Sequence, residues 1–275
     1  MTAALRQLEN ELGAPLLVRV HRGVVTTLFG KAFLERARAI DRESERAREE
    51  IAQLRGQWEG NVSFATSPGV SSVIVPLALR AFLQKFPDIR VRCVDGLYPA
   101  VLTGLRDGSL DFAVGPGEAA ELDSLFVSEA LYGSEVVVVA RRNHPKAGAT
   151  SLRDLADCEW VAWGTPSGPD KIVRAAFAEL GLPEPRVGMI CESFLVLPGI
   201  VAQTEMLGPV PRAMLDSTRY RENLVIVPTR ERLPSPTISI IRRTGPITPA
   251  TQALIGWIRH FALKASREDT PLSLC

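Results

Sequence analysis

One stretch of this sequence repeats apolar residues at the spacing of a coiled coil. Between residues 31 and 58 they follow one another at steps of four and three, which is a heptad pattern. No proline or glycine interrupts the run before Gly56, so the helix would be roughly 40 Å long. Such a helix cannot bury its apolar stripe alone. The stripe consists of Phe33, Ala37, Ile40, Ser44, Ala47, Ile51, Leu54 and Trp58.

Two partners could cover this apolar stripe: the rest of the same chain, or a second copy of it. The small residues Ala37, Ser44 and Ala47 favour close approach of two helices, and Phe33 and Trp58 would close the ends. We therefore predict a homodimer through this helix, and packing on the chain's own domain remains the alternative.

The first thirty residues predict a smaller unit. Three leucines share one face of a short helix, and residues 13–15 end it. Residues 16–28 then alternate and turn at Arg22-Gly23, which indicates a small hairpin. The three leucines are Leu5, Leu8 and Leu12.

From Asn61 onward, short β-rich runs alternate with helical stretches. This alternation is typical of α/β domains with largely parallel sheets. The predicted strands are 62–65, 89–94, 111–115, 135–140, 160–163, 187–191, 224–227 and 237–242. The predicted helices are 71–86, 100–107, 169–180, 197–204, 212–217 and 248–265.

The segment is too long for one small sheet, so we expect two lobes. The chain is expected to cross between them near Arg141-Arg142 and again at residues 242–245. Lobe I would comprise about 60–141 and 243–266, and lobe II about 142–242. The final helix would then return to lobe I.

Five of the predicted strands are followed by loops rich in glycine, proline and hydroxyl residues. Ligands of open α/β sheets bind beyond the carboxyl ends of the strands, and exposed N–H groups and hydroxyls there can bind an anion. We therefore expect a small carboxylate or sulfonate, such as an aromatic acid. Because no Lys or Arg lies in these loops, neutral donors would hold it. The alternative is that these residues only form turns. The candidates are Ser67, Pro68, Tyr98, Pro99, Gly117, Thr165, Ser167, Ser193 and Phe194.

Composition argues against several other classes of protein. The 32 Lys and Arg nearly balance the 31 Asp and Glu, which disfavours a surface that binds nucleic acid everywhere but allows a local binding face. The four cysteines and three histidines form no spaced cluster, so we expect no metal and no cofactor. The sequence has neither a signal peptide pattern nor an apolar run of membrane length, which predicts a cytoplasmic protein.

Motifs of enzymes are also missing from the sequence. There is no nucleophile elbow, Walker A motif or H-E-x-x-H motif. Residues 115–120 mimic a dinucleotide-binding turn, with Glu135 further along. However, Pro116 stiffens that turn, and Glu135 begins its predicted strand instead of ending it. We therefore expect no enzyme.

Several motifs together resemble one known family. The first motifs lie in the segment LRQLENELGAPLLVRVHRGVVTTLFGKAFLERAR, which begins at Leu5. They are Leu8-Glu9, Leu12-Gly13 and Pro15-Leu16-Leu17, followed by Arg19, Thr27 and Gly30. Phe86-Pro87 and the sequence Leu-Arg-Asp-Gly-Ser-Leu-Asp at 105–111 follow. These features resemble the LysR-type family of bacterial transcriptional regulators. The family usually has Phe where Leu17 stands, and a glycine-rich turn where residues 203–205 stand.

The resemblance implies an α/β fold with three parts. A partial winged helix-turn-helix would span residues 1–30, a linker and dimerisation helix 31–59, and a two-lobed effector domain like a periplasmic binding protein 60–266. It also implies a homotetramer that binds promoter DNA and a small-molecule effector and contacts RNA polymerase.

The resemblance further implies a DNA-binding surface near the N-terminus. Members of the family carry a further segment before the position of Thr2, so we expect specific DNA binding to require that segment. If the chain truly begins at Met1, the alternative is a small-molecule-binding dimerisation module that does not bind DNA. The candidate DNA contacts are Thr2, Arg6, Arg19, His21 and Arg22.

Overall fold

The protein is described by a computed structural model. The structure describes residues 3–96, 100–117, 122–164, 171–193, 195–216 and 219–267. Along the chain, a small N-terminal unit is followed by one long helix and then by two α/β lobes. None of the helices in these ranges combines the length and the apolar character that a membrane span requires.

The N-terminal unit contains the short helix and the hairpin that the leucine pattern and the alternation predict. Helix α1 is Ala3–Leu12, and strands β1 (Leu17–Val20) and β2 (Gly23–Thr26) pair antiparallel. The Glu9 carboxylate accepts a hydrogen bond from the backbone N–H of Leu16 at 2.7 Å. This bond fixes the turn that joins the helix to the hairpin.

The hairpin leads directly into the long helix α2 (Leu28–Leu54). Thr27 caps this helix, because its Oγ1 accepts from the N–H of Gly30 at 2.9 Å and donates to the carbonyl of Pro15 at 2.6 Å. A Cβ on Gly30 would lie 2.0 Å from the carbonyl oxygen of Leu16. Glycine is therefore needed for the helix to begin this close to the preceding turn.

Helix α2 confirms the predicted long helix but ends earlier than expected. Gly56 has a φ of 88°, a left-handed conformation that terminates the helix just after Leu54. The predicted extension of the apolar stripe to Trp58 is therefore wrong. Trp58 packs against the core of the first lobe, and its ring stacks on Phe86 with centroids 4.2 Å apart.

The remaining elements alternate along the chain. The strands are β3 (Gly60–Thr66), β4 (Ile89–Asp95), β5 (Phe112–Pro116), β6 (Phe126–Gly133), β7 (Val136–Arg141), β8 (Glu159–Trp163), β9 (Arg186–Cys191), β10 (Gly208–Pro211), β11 (Leu224–Ile226) and β12 (Thr237–Arg243). The helices are α3 (Pro68–Ser71), α4 (Ile74–Lys85), α5 (Ala100–Asp107), α6 (Lys171–Glu179), α7 (Leu197–Gln203), α8 (Arg212–Asp216) and α9 (Pro249–Arg267).

Lobe I is built on a five-stranded sheet in the order β4-β3-β5-β12-β6. Strand β3 runs parallel to β4 and β5, whereas β12 is antiparallel to both of its neighbours. Helices α4 and α9 cover one face, over the stacked rings of Phe64 and Phe112, and α5 covers the other. The sheet is therefore buried on both sides, which explains its apolar strands.

Lobe II contains an antiparallel group in the order β10-β7-β11 and a parallel pair, β8-β9. The N–H of Val161 donates to the carbonyl of Leu207 at 2.8 Å, and the N–H of Leu207 donates to Glu159 at 2.9 Å, which joins the two groups. Trp160 meets Phe177 of α6 edge-on in one core layer, and α7 packs in the other.

The expected crossings between the lobes are wrong at both positions. Because β7 pairs with β10 and β11, residues 136–141 belong to lobe II, and the chain leaves lobe I at 134–135 instead of at Arg141-Arg142. Because β12 pairs with β5 and β6, the chain returns to lobe I between β11 and β12, before the expected 242–245. The boundaries 60–141, 142–242 and 243–266 are corrected accordingly.

Strands β6 and β10 are missing from the sequence prediction, for different reasons. In β6, polar and small residues interrupt the apolar ones, since it is an edge strand with one face only partly buried. In β10, glycine and proline make up three of four residues, a composition that ordinarily indicates a turn. Their pairing partners lie far away in sequence, so tertiary contacts place them.

The side of α2 that contacts lobe I is polar. Arg46 pairs with Asp111 at 2.6 Å and also donates to the carbonyl of Gly108 at 2.8 Å. Asp111 accepts a further bond from the N–H of Ser63 at 2.7 Å. Burial raises the pKa of Asp111, and the Arg46 charge opposes that rise. We call this side the docked face, and it consists of Arg42, Arg46, Glu49 and Gln53.

The C-terminal end of α2 is fixed to lobe I by two further side chains. Gln53 is 3% exposed; its Nε2 donates to the carbonyl of Glu59 and its Oε1 accepts from the N–H of Ala250, both at 2.9 Å. Glu49 accepts from the side chain of Asn61 at 2.8 Å. The helix does pack on its own domain, as the alternative expectation holds, but through its polar side.

The apolar stripe of α2 stays exposed from Ile40 to Leu54, whereas Phe33 and Ala37 are half-buried. Ile40, Ile51 and Leu54 are 71%, 59% and 68% exposed. A stripe of this kind on a helix that is already anchored through its other side is available to a second polypeptide.

Candidate functional site

A cleft lies between the two lobes, and both lobes and their connecting segments line it. The empty space within it, counted together with its open mouth, is about 530 Å³. Twelve described residues line it: Ser67, Pro68, Gly69, Pro116, Ser134, Val136, Trp163, Ile172, Pro209, Pro211, Pro236 and Ile238.

Ser67 follows strand β3 and directly precedes α3. It is 4% exposed, and its backbone N–H donates to the carbonyl of Val114 at 2.9 Å. Its side chain does not cap α3. The Ser67 hydroxyl is therefore available to a molecule in the cleft.

The two lobes approach closely at one end of the cleft. Gly69 of α3 lies against Pro211 at the end of β10, and a Cβ on Gly69 would be 3.4 Å from the proline side chain. Helix α8, which follows Pro211, also contacts α3. A ligand would therefore bind where lobe I and lobe II already meet.

The structure places some of the predicted cleft residues at the site and not others. Ser67 and Pro68 line the cleft. Gly117 does not: it packs against Ile241 on the neighbouring strand. Ser193 is not among the lining residues either; it lies in the turn before α7, where its carbonyl accepts from the N–H of Leu197 at 3.1 Å. The remaining candidates, Tyr98, Pro99, Thr165, Ser167 and Phe194, lie outside the described residues.

Most of the lining was not predicted from the sequence. Trp163 is the last residue of β8, directly before a predicted loop, whereas Ile172 lies in the first turn of α6, inside a predicted helix. The strand-end rule therefore came within one residue of Trp163 but not of Ile172. Pro209 and Pro211 lie in the unpredicted strand β10. Ser134 and Pro236 lie in the two connections between the lobes, whose positions the sequence interpretation misplaced.

The described candidate DNA contacts are all on the surface of the N-terminal unit. Arg6 is exposed on α1, Arg19 is exposed on β1, and His21 and Arg22 form the exposed turn of the hairpin. Within the described part of the chain, no ion pair engages them. Thr2 lies outside the described residues.

No metal-binding constellation is found in the part of the chain that the structure describes, where no group of three His, Cys, Asp or Glu side chains could hold an ion. Cys93, Cys158 and Cys191 are free thiols. Burial raises the pKa of Cys93 and of Cys158, which makes both thiols less reactive.

Comparison with known protein families decides the family. The LysR substrate binding domain matches residues 55–262, which cover both lobes and the cleft. The chain belongs to the LysR family. This finding agrees with the resemblance carried by the N-terminal segment and by residues 105–111.

Individual relatives extend the comparison. The HTH-type transcriptional regulator GalR of Pseudomonas putida is 28% identical over 262 residues, which are 94% of this chain and 66% of the relative. The crystal structure of the LysR family regulator CbnR superposes with a TM-score of 0.66 at 22% identity, over 94% of this chain and 87% of that one. The BenM effector binding domain with its effector benzoate superposes with a TM-score of 0.62 at 20% identity, over 78% and 97%.

Proposed function

We propose that this chain is the linker and effector-binding part of a LysR-type transcriptional regulator. It would bind promoter DNA through the N-terminal unit and respond to a small molecule bound between the lobes. The observation that carries this proposal is the family match over residues 55–262, which coincides with a cleft lined by both lobes. Acting on promoter DNA places this function in the cytoplasm, and the relatives are regulators, not enzymes.

The hairpin, the apolar stripe of α2 and the cleft would each serve a separate function. The exposed arginines of the hairpin suit contacts with phosphates. The apolar stripe of α2 suits pairing with a second copy, so the chain would assemble into a dimer or a homotetramer. The cleft suits an effector, because the BenM relative holds benzoate in the corresponding domain.

DNA binding by a version that carries the family's preceding DNA-binding segment tests the proposal. Replacing Arg22→Ala should weaken binding to promoter and random DNA alike and lower the salt slope by about 1, because one phosphate contact is lost. Arg19→Ala should act in the same direction. Electrophoretic mobility shifts at several salt concentrations measure both effects.

The matched control for this test is Arg186→Ala, which removes an exposed arginine from lobe II, far from the hairpin in sequence. Its DNA affinity should equal that of the parent protein. Parent-like affinity of the Arg22→Ala variant at every salt concentration would exclude the hairpin as a DNA contact. A version with the added segment that binds no promoter at all would favour the small-molecule-binding module instead.

A further inference from the structure

The lining of the cleft carries no charge among the residues that the structure describes. Ten of the twelve lining residues are proline, glycine or apolar residues, and the two polar ones are Ser67 and Ser134. Trp163 and Ile172 supply a broad apolar wall. A cleft of this composition binds its ligand mainly through apolar contacts.

The backbone of the lining adds few hydrogen-bond donors. Five of the twelve residues are prolines, which have no N–H group. The N–H of Ser67 already donates to Val114, and that of Ser134 donates to Pro236 at 2.8 Å. Helix α3 has only four residues and begins with Pro68, so it offers little to an anion.

The cations next to the lining do not supply the missing charge. Arg212 follows Pro211, but its Nε lies 2.5 Å from the carboxylate of Glu135, which neutralises it. Lys171 precedes Ile172, is exposed, and is not part of the lining.

The sequence of the internal segments that lie between the described ranges points the same way. Residues 97–99, 118–121, 165–170, 194 and 217–218 contain no Lys, Arg or His, whereas they do contain Glu118, Glu121 and Asp170. Whatever these segments contribute to the cleft, they bring no positive side chain to it.

We infer that the cleft binds an uncharged, largely apolar molecule, with Trp163 and Ile172 packing on its apolar body and Ser67 bonding one neutral oxygen or amide. This inference rests on the proposed function, because it names the ligand class of the same cleft. It replaces the anionic effector expected from the strand-end loops. A carboxylate here would lose its water and find no cation among the described lining residues, which is unfavourable.

Calorimetry with matched amides and acids tests this inference on the chain as it exists. The probes are benzamide with benzoate, cyclohexanecarboxamide with its carboxylate, and indole-3-acetamide with indole-3-acetate. At least one amide should bind, and it should bind at least about tenfold more tightly than its acid, because burying an unpaired charge is costly. An acid that binds more tightly than its amide, or failure of all three amides to bind, would overturn the inference.

Variants locate the binding at the cleft. Ser67→Ala should weaken binding of the amide by about threefold to tenfold, the usual effect of losing one neutral hydrogen bond. Ser72→Ala is the matched control, because Ser72 closes the same helix α3 but does not line the cleft. Equal affinities of the two variants would overturn the assignment of Ser67.

A gain of charge gives the converse test. Ser134 is half-buried on the connection between the lobes and lines the cleft, so Ser134→Lys should shift the preference from the amide towards the acid. An unchanged preference would contradict an uncharged cleft. These results are independent of the DNA-binding test with Arg22→Ala: loss of amide binding with intact promoter binding rejects the ligand class alone, whereas loss of promoter binding rejects the regulator.

Discussion

The two sides of helix α2 differ in composition and in what they contact. The docked face is polar and lies against lobe I through hydrogen bonds and an ion pair. The apolar stripe repeats every heptad and is left exposed from Ile40 to Leu54. Apolar periodicity therefore marks here the side of a helix that its own domain does not cover, and polar residues make the intramolecular contact.

The largest effect is expected from charging the apolar stripe. Ile40→Glu combined with Ile51→Glu would place two carboxylates at a helix pair, each costing several kcal/mol unless the helices separate. We expect the dimer to dissociate while each chain keeps its secondary structure, since both positions are exposed within one chain. Light scattering measures the mass, and circular dichroism checks the fold.

The control for the stripe is Arg38→Glu, which adds negative charge at an exposed position of α2 that belongs to neither side. Its oligomeric state should match that of the parent. If the doubly charged variant keeps the assembly intact, the second copy is bound elsewhere. The apolar stripe would then not be the dimer interface.

The sequence predicts the apolar stripe but not the docked face, because only apolar residues at heptad spacing form a recognisable pattern. Isoleucines at heptad spacing have one interpretation, burial, whereas Arg42, Arg46 and Glu49 look like any solvated helix surface. Asp111 belongs to the motif at 105–111 that resembles the family, but its partner Arg46 is 65 positions away in sequence. Only the fold brings the two together.

The cleft shows a similar division. Ser67 and Pro68 were predicted because they follow a clear strand, and the rule for strand ends applies locally. Trp163, Pro211 and Ser134 come from two lobes and a connection, so their meeting depends on strand pairing over long distances. The apolar character of the lining that the structure describes therefore arises only when the fold brings these residues together.

The next largest effect is expected from Arg46→Ala, on the docked face. It would leave Asp111 largely buried without its partner, at a cost of about 2–4 kcal/mol at neutral pH. This is less than the roughly 3–5 kcal/mol for a fully buried pair, because Arg46 is partly exposed. Urea unfolding measures the loss. In an Asp111→Asn background the same substitution should cost much less, since no buried charge is left.

The pH dependence of that loss has a defined sign. Burial raises the pKa of Asp111 above its usual 3.8, so its protonated form favours the folded state. This contribution is present at low pH and is lost as the pH rises through the folded pKa. At neutral pH the Arg46 charge stabilises the ionised Asp111, which offsets this lost contribution. The free-energy penalty of Arg46→Ala should therefore be smaller at acid pH than at neutral pH. A penalty that stays constant with pH would show that Arg46 acts through packing.

The smallest effects on stability are expected from two adjacent residues, Gln53 and Leu54, which lie on opposite sides of α2. Gln53→Ala removes the acceptor for the N–H of Ala250 and the donor to Glu59, which should cost about 1–3 kcal/mol of stability at any protein concentration. Leu54→Ala should change the stability of the isolated chain by little, because the side chain is 68% exposed. Its effect should instead grow with protein concentration, as the fraction of dimer rises. Thermal unfolding over a hundredfold range of concentration compares the two variants. If both show the same concentration dependence, the two sides of the helix do not act separately.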